Sequence, residues 1–370
     1  MTTLTGKEFN DTYSNIEFYK VLNLNNIHYR FTYQHGLNVD NIPFNPTGQC
    51  SAGGLYFTEL DKLACWIYNS ACGTYIAKVT IPSNASVYIE TNKFKADQFV
   101  LDLDNKLLIK DLYMWENTAF CKHAVIQYGQ TLQYVTNQTD EICKLAVSNN
   151  GLSLKYVTNQ TDEICKLAVG NNGWALEYVK NQTEEICKIA VSLGGWALKY
   201  VINQTDELCK IAVTQNGIAL QYVTIQTDEL CIIAVSQNGL ALEYVTNQTD
   251  EICKLAVSNN GWALEYVTNQ TDEICKLAVS LGGSALEYVK IQTDEICIIA
   301  VSQNGYALQY VKNQTDEICK IAVSQNGYAL KYVTNQTDEI CTLAVSQNKD
   351  ALQWAKYVTN QTDEICKIKN

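Results

Sequence analysis

Eleven cysteines, Cys121 through Cys341, follow one another every 22 residues. Cys366 comes 25 later, after a small insertion, and Cys50, Cys65 and Cys72 lie outside the series. A fixed period in this range means a repeat array, which narrows the possible folds before any other property is considered. One unit runs from Thr249 to Gln270 as TDEICKLAVSNNGWALEYVTNQ. Two helices and two turns fit this length. Thr249 is placed to cap a helix whose first turn holds Asp250 and Glu251, the charge that a helix dipole favours there. Ile252, Leu255 and Ala256 recur at i, i+3 and i+4, with Cys253 and Val257 widening the apolar stripe. On the wet side Asp250 and Lys254 are spaced to pair at i, i+4.

Asn260-Gly261 is expected to end this helix through a left-handed residue. A second short helix follows through Ala263, Leu264, Tyr266 and Val267, and Thr268-Asn269-Gln270 turns the chain back. Neither helix is long enough to stand alone in water, so each repeat must bury its face on its neighbours. The expected fold is mostly α: a right-handed α-solenoid of about twelve 22-residue two-helix repeats over 111–370, after a small α+β domain over 1–110. The repeats at Trp115–Cys121 and Lys349–Tyr357 depart from the pattern as end caps do, and Lys367–Asn370 reads as a polar end of the last helix.

Stacking also decides the redox chemistry. Equivalent cysteines on packed helices stand ~8–10 Å apart, beyond the ~7 Å between Cα atoms that a disulfide spans. One thiol per repeat, with His123 the one histidine nearby, makes no four-ligand metal site. The ladder cysteines are expected to be small buried packing residues in a reducing compartment. The recurring Asn-Gln-Thr, as at Asn137, Asn159, Asn181 and Asn203, matches a glycosylation acceptor. With a polar start instead of a secretory signal, it is better read as turn and capping chemistry.

The net charge of −12 falls almost entirely on the array, and Arg30 is the single arginine. A chain so acidic, without guanidinium groups to fork onto phosphate, is unsuited to nucleic acid. No apolar run is long enough to span a bilayer.

Residues 1–110 hold all three prolines and two of the three histidines. Strand patterns run over Ile16–Leu22, His28–Tyr33, Leu55–Phe57, Thr74–Ile81, Val87–Glu90 and Gln98–Leu103. Thr58, with Asp61 three residues on, suggests a helix through Leu60, Leu63, Ala64 and Ile67.

Core positions of the array barely change, so its variable positions carry the information. The residue after each glycine is often aromatic, as at Trp174, Trp196, Trp262, Tyr306 and Tyr328, and the one three further on is polar, as at Glu177, Lys199 and Glu265. Such pairs share one helix face and form a lengthwise stripe of the composition that protein-binding surfaces favour. The alternative is that the tryptophans fill gaps between repeats. Ile225 with Ile232, and Ile291 with Ile298, put apolar groups where the pattern has Asn and Lys; they form a partner or self-association patch or pack on each other. The array offers no catalytic chemistry.

In the amino-terminal region Gln34-His35-Gly36, Leu55-Tyr56-Phe57-Thr58, Ala64-Cys65-Trp66 and Gly73-Thr74-Tyr75-Ile76 resemble small ADP-ribosyltransferases of the rifampin-modifying type. That resemblance implies NAD as cofactor, His35 holding a ribose, Tyr56 stacking nicotinamide, and Glu90 or Asp97 stabilising the oxocarbenium-like transition state. A second resemblance covers most of the chain. Gly36–Asp40, Pro43–Pro46, Gly53–Phe57 and Val79–Pro82 look like the leader domain of repeat proteins from giant amoebal DNA viruses of the mimivirus kind, where it precedes ankyrin or short helical arrays. The repeat itself is similar to a helical family of unknown function found in those viruses and in some intracellular bacterial effectors. This resemblance implies a viral protein acting in host cytoplasm or in the virion. The expected function is a non-enzymatic scaffold, monomeric or weakly self-associating, whose solenoid engages a host or viral protein. The competing expectations are an NAD-using enzyme with the solenoid as its targeting module, and an architectural virion component.

Overall fold

The computed structural model describes residues 3–28, 31–47, 51–67 and 75–355. Cys50, Cys72, Gly73, Thr74, Tyr357 and Cys366, all named above, lie outside them, as does Lys367–Asn370. The chain forms two compact units, 1–190 and 191–370, and each is described by itself.

The first unit opens with strands β1 (Thr3–Thr5), β2 (Phe18–Leu22), β3 (Ile27–His28), β4 (Phe31–Thr32), β5 (Gly36–Val39), β6 (Leu55–Glu59), β7 (Tyr75–Thr80), β8 (Ser86–Ile89), β9 (Phe94–Ala96) and β10 (Gln98–Leu108). Eight of them form a sheet in the order β1-β8-β9-β6-β2-β7-β10-β5, and β3 and β4 form a separate hairpin. Phe9, Phe18, Phe57, Phe94 and Phe99 meet at its centre, with ring centroids 5.0–6.0 Å apart. Phe9 belongs to α1 (Gly6–Thr12), which the sequence reading missed; Thr5 and Glu8 close a capping box at its start. The helix expected from Thr58 is absent: Thr58 ends in β6, its hydroxyl donating to Asn92 O at 3.0 Å, and only Leu63–Cys65 turns, as 3₁₀ helix.

From Thr118 to Trp354, eleven ten-residue α-helices alternate with eleven six-residue 3₁₀ helices among the described residues, the first being Gly129–Tyr134 after the degenerate first repeat. Each α-helix buries its Cys, Ala and Val positions together with an Ile or Leu, replaced by Phe120 in the first. In the repeat Asp250–Asn259, Thr249 caps the start by accepting from Ile252 N at 3.3 Å, as its sequence position implies. Leu255 is only half-buried.

The second helix is 3₁₀ because its bonds run i to i+3. Ala263 N donates to Asn260 O at 2.8 Å, Val267 N donates to Leu264 O at 3.2 Å, and Asn260 Oδ1 accepts from Trp262 N at 3.0 Å. Asn260 thus ends one helix and starts the next from an extended backbone, φ −149°. The expected left-handed glycine does not occur here; among the described residues only Gly36, Gly53, Gly54 and Asn26 have positive φ. The repeat glycine serves close approach. A Cβ on Gly239 would stand 2.4 Å from the carbonyl oxygen of Ala256 in the next repeat.

The residue that joins one repeat to the next is the glutamine of Asn-Gln-Thr. Gln248 Nε2 donates to Tyr266 O at 2.8 Å and to Leu242 O at 3.5 Å. Its Oε1 accepts from Thr268 N at 3.0 Å, from the Thr268 hydroxyl at 3.1 Å and from the Cys253 thiol at 3.6 Å. Gln138, Gln160, Gln204, Gln226, Gln270, Gln292 and Gln314 repeat the bonds to the next repeat's tyrosine carbonyl and to the backbone N–H two residues further on. A second clamp comes from Asn259, which accepts from Gly239 N at 2.9 Å and donates to Ser236 O at 2.9 Å.

On the outer face Lys254 pairs with Glu273 of the next repeat at 2.7 Å, not with Asp250 as its spacing suggests. Lys122–Glu141, Lys144–Glu163 and Lys320–Glu339 do the same at 2.6 Å. The first repeat is capped by buried Trp115, whose indole N–H donates to Ile109 O at 2.7 Å and whose own carbonyl replaces glutamine as acceptor for the Cys121 thiol at 3.2 Å.

Replacing Gln248 by Leu should cost about 1–3 kcal/mol, because it strands the Tyr266 carbonyl and the Thr268 N–H; urea unfolding measures this, and an unchanged midpoint would remove the clamp from the argument. Gly239→Ala should destabilise the array, whereas Gly282→Ala, with extended backbone and nothing within 4 Å of the new Cβ, should leave the melting temperature unaltered.

Candidate interaction surface

In a 3₁₀ helix residues i and i+3 eclipse one another. The residue after each glycine and the one three further on therefore share one face of every repeat. Trp174 and Trp262 are 49% and 48% exposed, and Tyr306 is exposed as well. Trp196 and Tyr328 are half-buried, while Glu177, Lys199 and Glu265 are exposed. Both readings of the stripe thus hold in part. Three of these rings touch the tyrosine of the following repeat edge-on: Trp196 with Tyr222 at 5.9 Å, Trp262 with Tyr288 at 5.7 Å, Tyr306 with Tyr332 at 6.2 Å. This tyrosine row, invariant in the repeat, is the element the sequence reading left out of the surface.

Where the polar position is lysine, its ammonium lies over the tyrosine ring. Lys155 stands 4.6 Å from the Tyr156 centroid, Lys199 5.6 Å from Tyr200, and Lys331 5.3 Å from both Tyr332 and Trp354. Where it is glutamate, the carboxylate pushes tyrosine ionisation upward. Burial comes first, then Glu265 and Glu243 acting on Tyr266, and Glu265 and Glu287 acting on Tyr288. Two recesses open on this face. One of about 460 Å³ is bordered by Tyr306, Gln309, Tyr328, Lys331, Tyr332 and Trp354. The other, about 250 Å³, lies between Trp262 and Leu281.

Leu281 stands where most repeats have Asn or Gln, so Gly261 meets a leucine in place of an amide clamp. The Cβ-to-carbonyl clearance there widens to 3.1 Å, from 2.2–2.5 Å at Gly239, Gly283, Gly305 and Gly327. Ile225 and Ile291 are 79% and 81% exposed, which overturns their local packing; Ile232 and Ile298 are half-buried. Because these two isoleucines replace ladder lysines, Glu251 and Glu317 stand in no ion pair among those described.

Of the residues of the enzyme alternative, Tyr56 and Glu90 both adjoin Lys93, but His35 is not brought to them. His35 sits in the turn before β5, an edge strand of the sheet, while Glu90 follows β8, next to the opposite edge. His35 Nδ1 accepts from Leu103 N at 3.3 Å and lies 4.0 and 3.5 Å from Asp102 and Asp104. Glu90 is held by Lys93 at 3.5 Å, and Asp97 accepts from Ser86 N at 2.9 Å. Tyr56 donates to Ser51 O at 3.3 Å under the Lys93 ammonium, 4.3 Å from its ring. A cleft of about 490 Å³ includes Tyr56, Tyr33, His28 and Asp40, but neither His35 nor Glu90. Burial, and then Lys20, pushes His28 down to about 4, so it is neutral.

The described cysteines are all free thiols. Burial, with the first-turn acid next, raises Cys143 and Cys319 to about 11. Cys65 is half-buried, its sulfur 3.4 Å from His123 Nε2.

Such an array of short helical units, each clamped to the next, defines a solenoid repeat protein. The chain belongs to the family of the domain of unknown function DUF4116, whose model matches 140–183, 205–249, 228–271, 271–315, 293–337 and 315–357, more than half of the residues. It is 31% identical over 94 residues to a putative ankyrin repeat protein of Acanthamoeba polyphaga mimivirus, covering 23% of this chain and 29% of that protein. A second putative ankyrin repeat protein of the same virus is 30% identical over 106 residues, 27% of this chain and 50% of the other. The chain thus spans at most half the length of these relatives. No solved structure matches it. The similarity to giant-virus repeat proteins agrees with the sequence reading, though a 22-residue period is not the ~33 of ankyrin. Among the described residues no helix is long and apolar enough to cross a membrane.

With iodoacetamide at pH 8, the Cys65 peptide should be alkylated in the native protein while peptides carrying Cys143 to Cys341 stay unmodified until denaturant is added. Peptide mapping by mass spectrometry checks this, and rapid native labelling of Cys253 would contradict the buried ladder.

Proposed function

We propose that the protein is a non-enzymatic scaffold whose 3₁₀ face engages a host or viral protein in host cytoplasm. The observation that carries this reading is the exposure of Trp174 and Trp262, each half in solvent on the 3₁₀ face of its own repeat, where composition varies while the interior repeats. Solenoids bind along one face, and a large ring held out of the core at a cost in hydration suits contact with a second surface. The ankyrin-repeat relatives support the reading by architecture, and the free thiols suit a reducing compartment.

Affinity capture from infected host cells tests it. Trp174→Ala with Trp262→Ala should abolish recovery of the partner while the far-ultraviolet circular dichroism stays unchanged. Trp196→Ala, at a half-buried ring set edge-on against Tyr222, should lower thermal stability instead. Undiminished capture by the double variant would end the role of this face.

A further inference from the structure

Three successive repeats place glutamate at the polar position of the 3₁₀ face: Glu243, Glu265 and Glu287. All three are exposed, and none stands in an ion pair among the described residues. The α-helical face treats its acids differently, with Lys254 on Glu273 at 2.7 Å and Lys276 on Glu295 at 2.6 Å. Lys290, near in sequence, directs its ammonium to the carbonyls of Val267 and Thr268, 3.1 Å from each. Elsewhere on this face the chain provides its own cation over the tyrosine row, at Lys155, Lys199 and Lys331. From Glu243 to Glu287 it provides carboxylates instead, and among the described contacts no ammonium lies over Tyr266 or Tyr288. Trp262 lies between them, beside Tyr288 and the recess bounded by Leu281.

We infer that Glu243, Glu265 and Glu287, grouped around Trp262, form a docking site for a basic, lysine- or arginine-rich protein segment. The inference rests on the scaffold reading and supplies its partner's chemistry. Carboxylates take the charge, the faces of Trp262, Tyr266 and Tyr288 attract a cation, and Trp262 with Leu281 covers the aliphatic stem of a long basic side chain. An acidic segment would meet three like charges and is rejected. The surroundings of Trp174 differ, because Lys155 in the preceding repeat already fills the cation position over Tyr156.

Fluorescence anisotropy of a labelled Lys/Arg dodecapeptide with the full chain tests this, with an Asp/Glu dodecapeptide alongside. The basic peptide should bind, the acidic one should not, and affinity should fall as salt rises. Glu243→Gln/Glu265→Gln/Glu287→Gln should weaken binding at least tenfold, and so should Trp262→Ala. Glu251→Gln/Asp294→Asn/Glu317→Gln, which removes equal charge from the α-helical face, should change it less than twofold. Equal losses from the two triple variants would reduce the attraction to net charge and overturn the inference, as would absence of binding. Either result leaves partner capture through Trp174 and Trp262 to be judged by its own experiment.

Discussion

A side-chain amide does most to turn marginal helices into an ordered array. Burial of Ile, Cys, Ala and Val draws repeats together, but apolar attraction has no direction and would accept several registers. Gln248 and its equivalents accept only one, because each amide must reach a carbonyl and an N–H of the next repeat simultaneously. Both backbone groups lie where a 3₁₀ helix ends and would otherwise lack partners. The thiol of the same repeat completes the set by donating to the amide oxygen. The lysine–glutamate ladder outside is exposed and adds little to this.

Period, repeat boundaries, the cap at Thr249, the buried stripe and the unbridged ladder thiols among the described residues were legible because each depends on spacing along one chain. The joint was not. Glutamine looks like any turn residue until its partners 18 and 20 residues away are seen, and glycine suggests a left-handed cap when its actual constraint is the Ala256 carbonyl across the interface. Lys254 showed the same limit: i, i+4 spacing favoured Asp250, but the stacked Glu273 is closer. In the sheet region, alternation located most strands, whereas α1 went unseen because only Phe9 and a short polar run mark it.

The surface was legible in outline. Trp174 and Trp262 are exposed, but Trp196 is half-buried, a distinction set by neighbours and not by residue type. The tyrosine row hid in plain view as a constant of the repeat, since invariance usually signals core. His35, taken from a resemblance, is separated by the strand order of the sheet from Tyr56 and Glu90, which both adjoin Lys93.

Leu281, which stands where Asn259 and Gln325 supply the second clamp, gives the second unit unequal joints. In a chain of nearest-neighbour couplings, thermal opening concentrates at the weakest coupling. The wide clearance at Gly261 marks such a seam. Within the second unit that joint parts more easily than the amide-held one at Gly239, making Leu281 a fracture plane between two repeats.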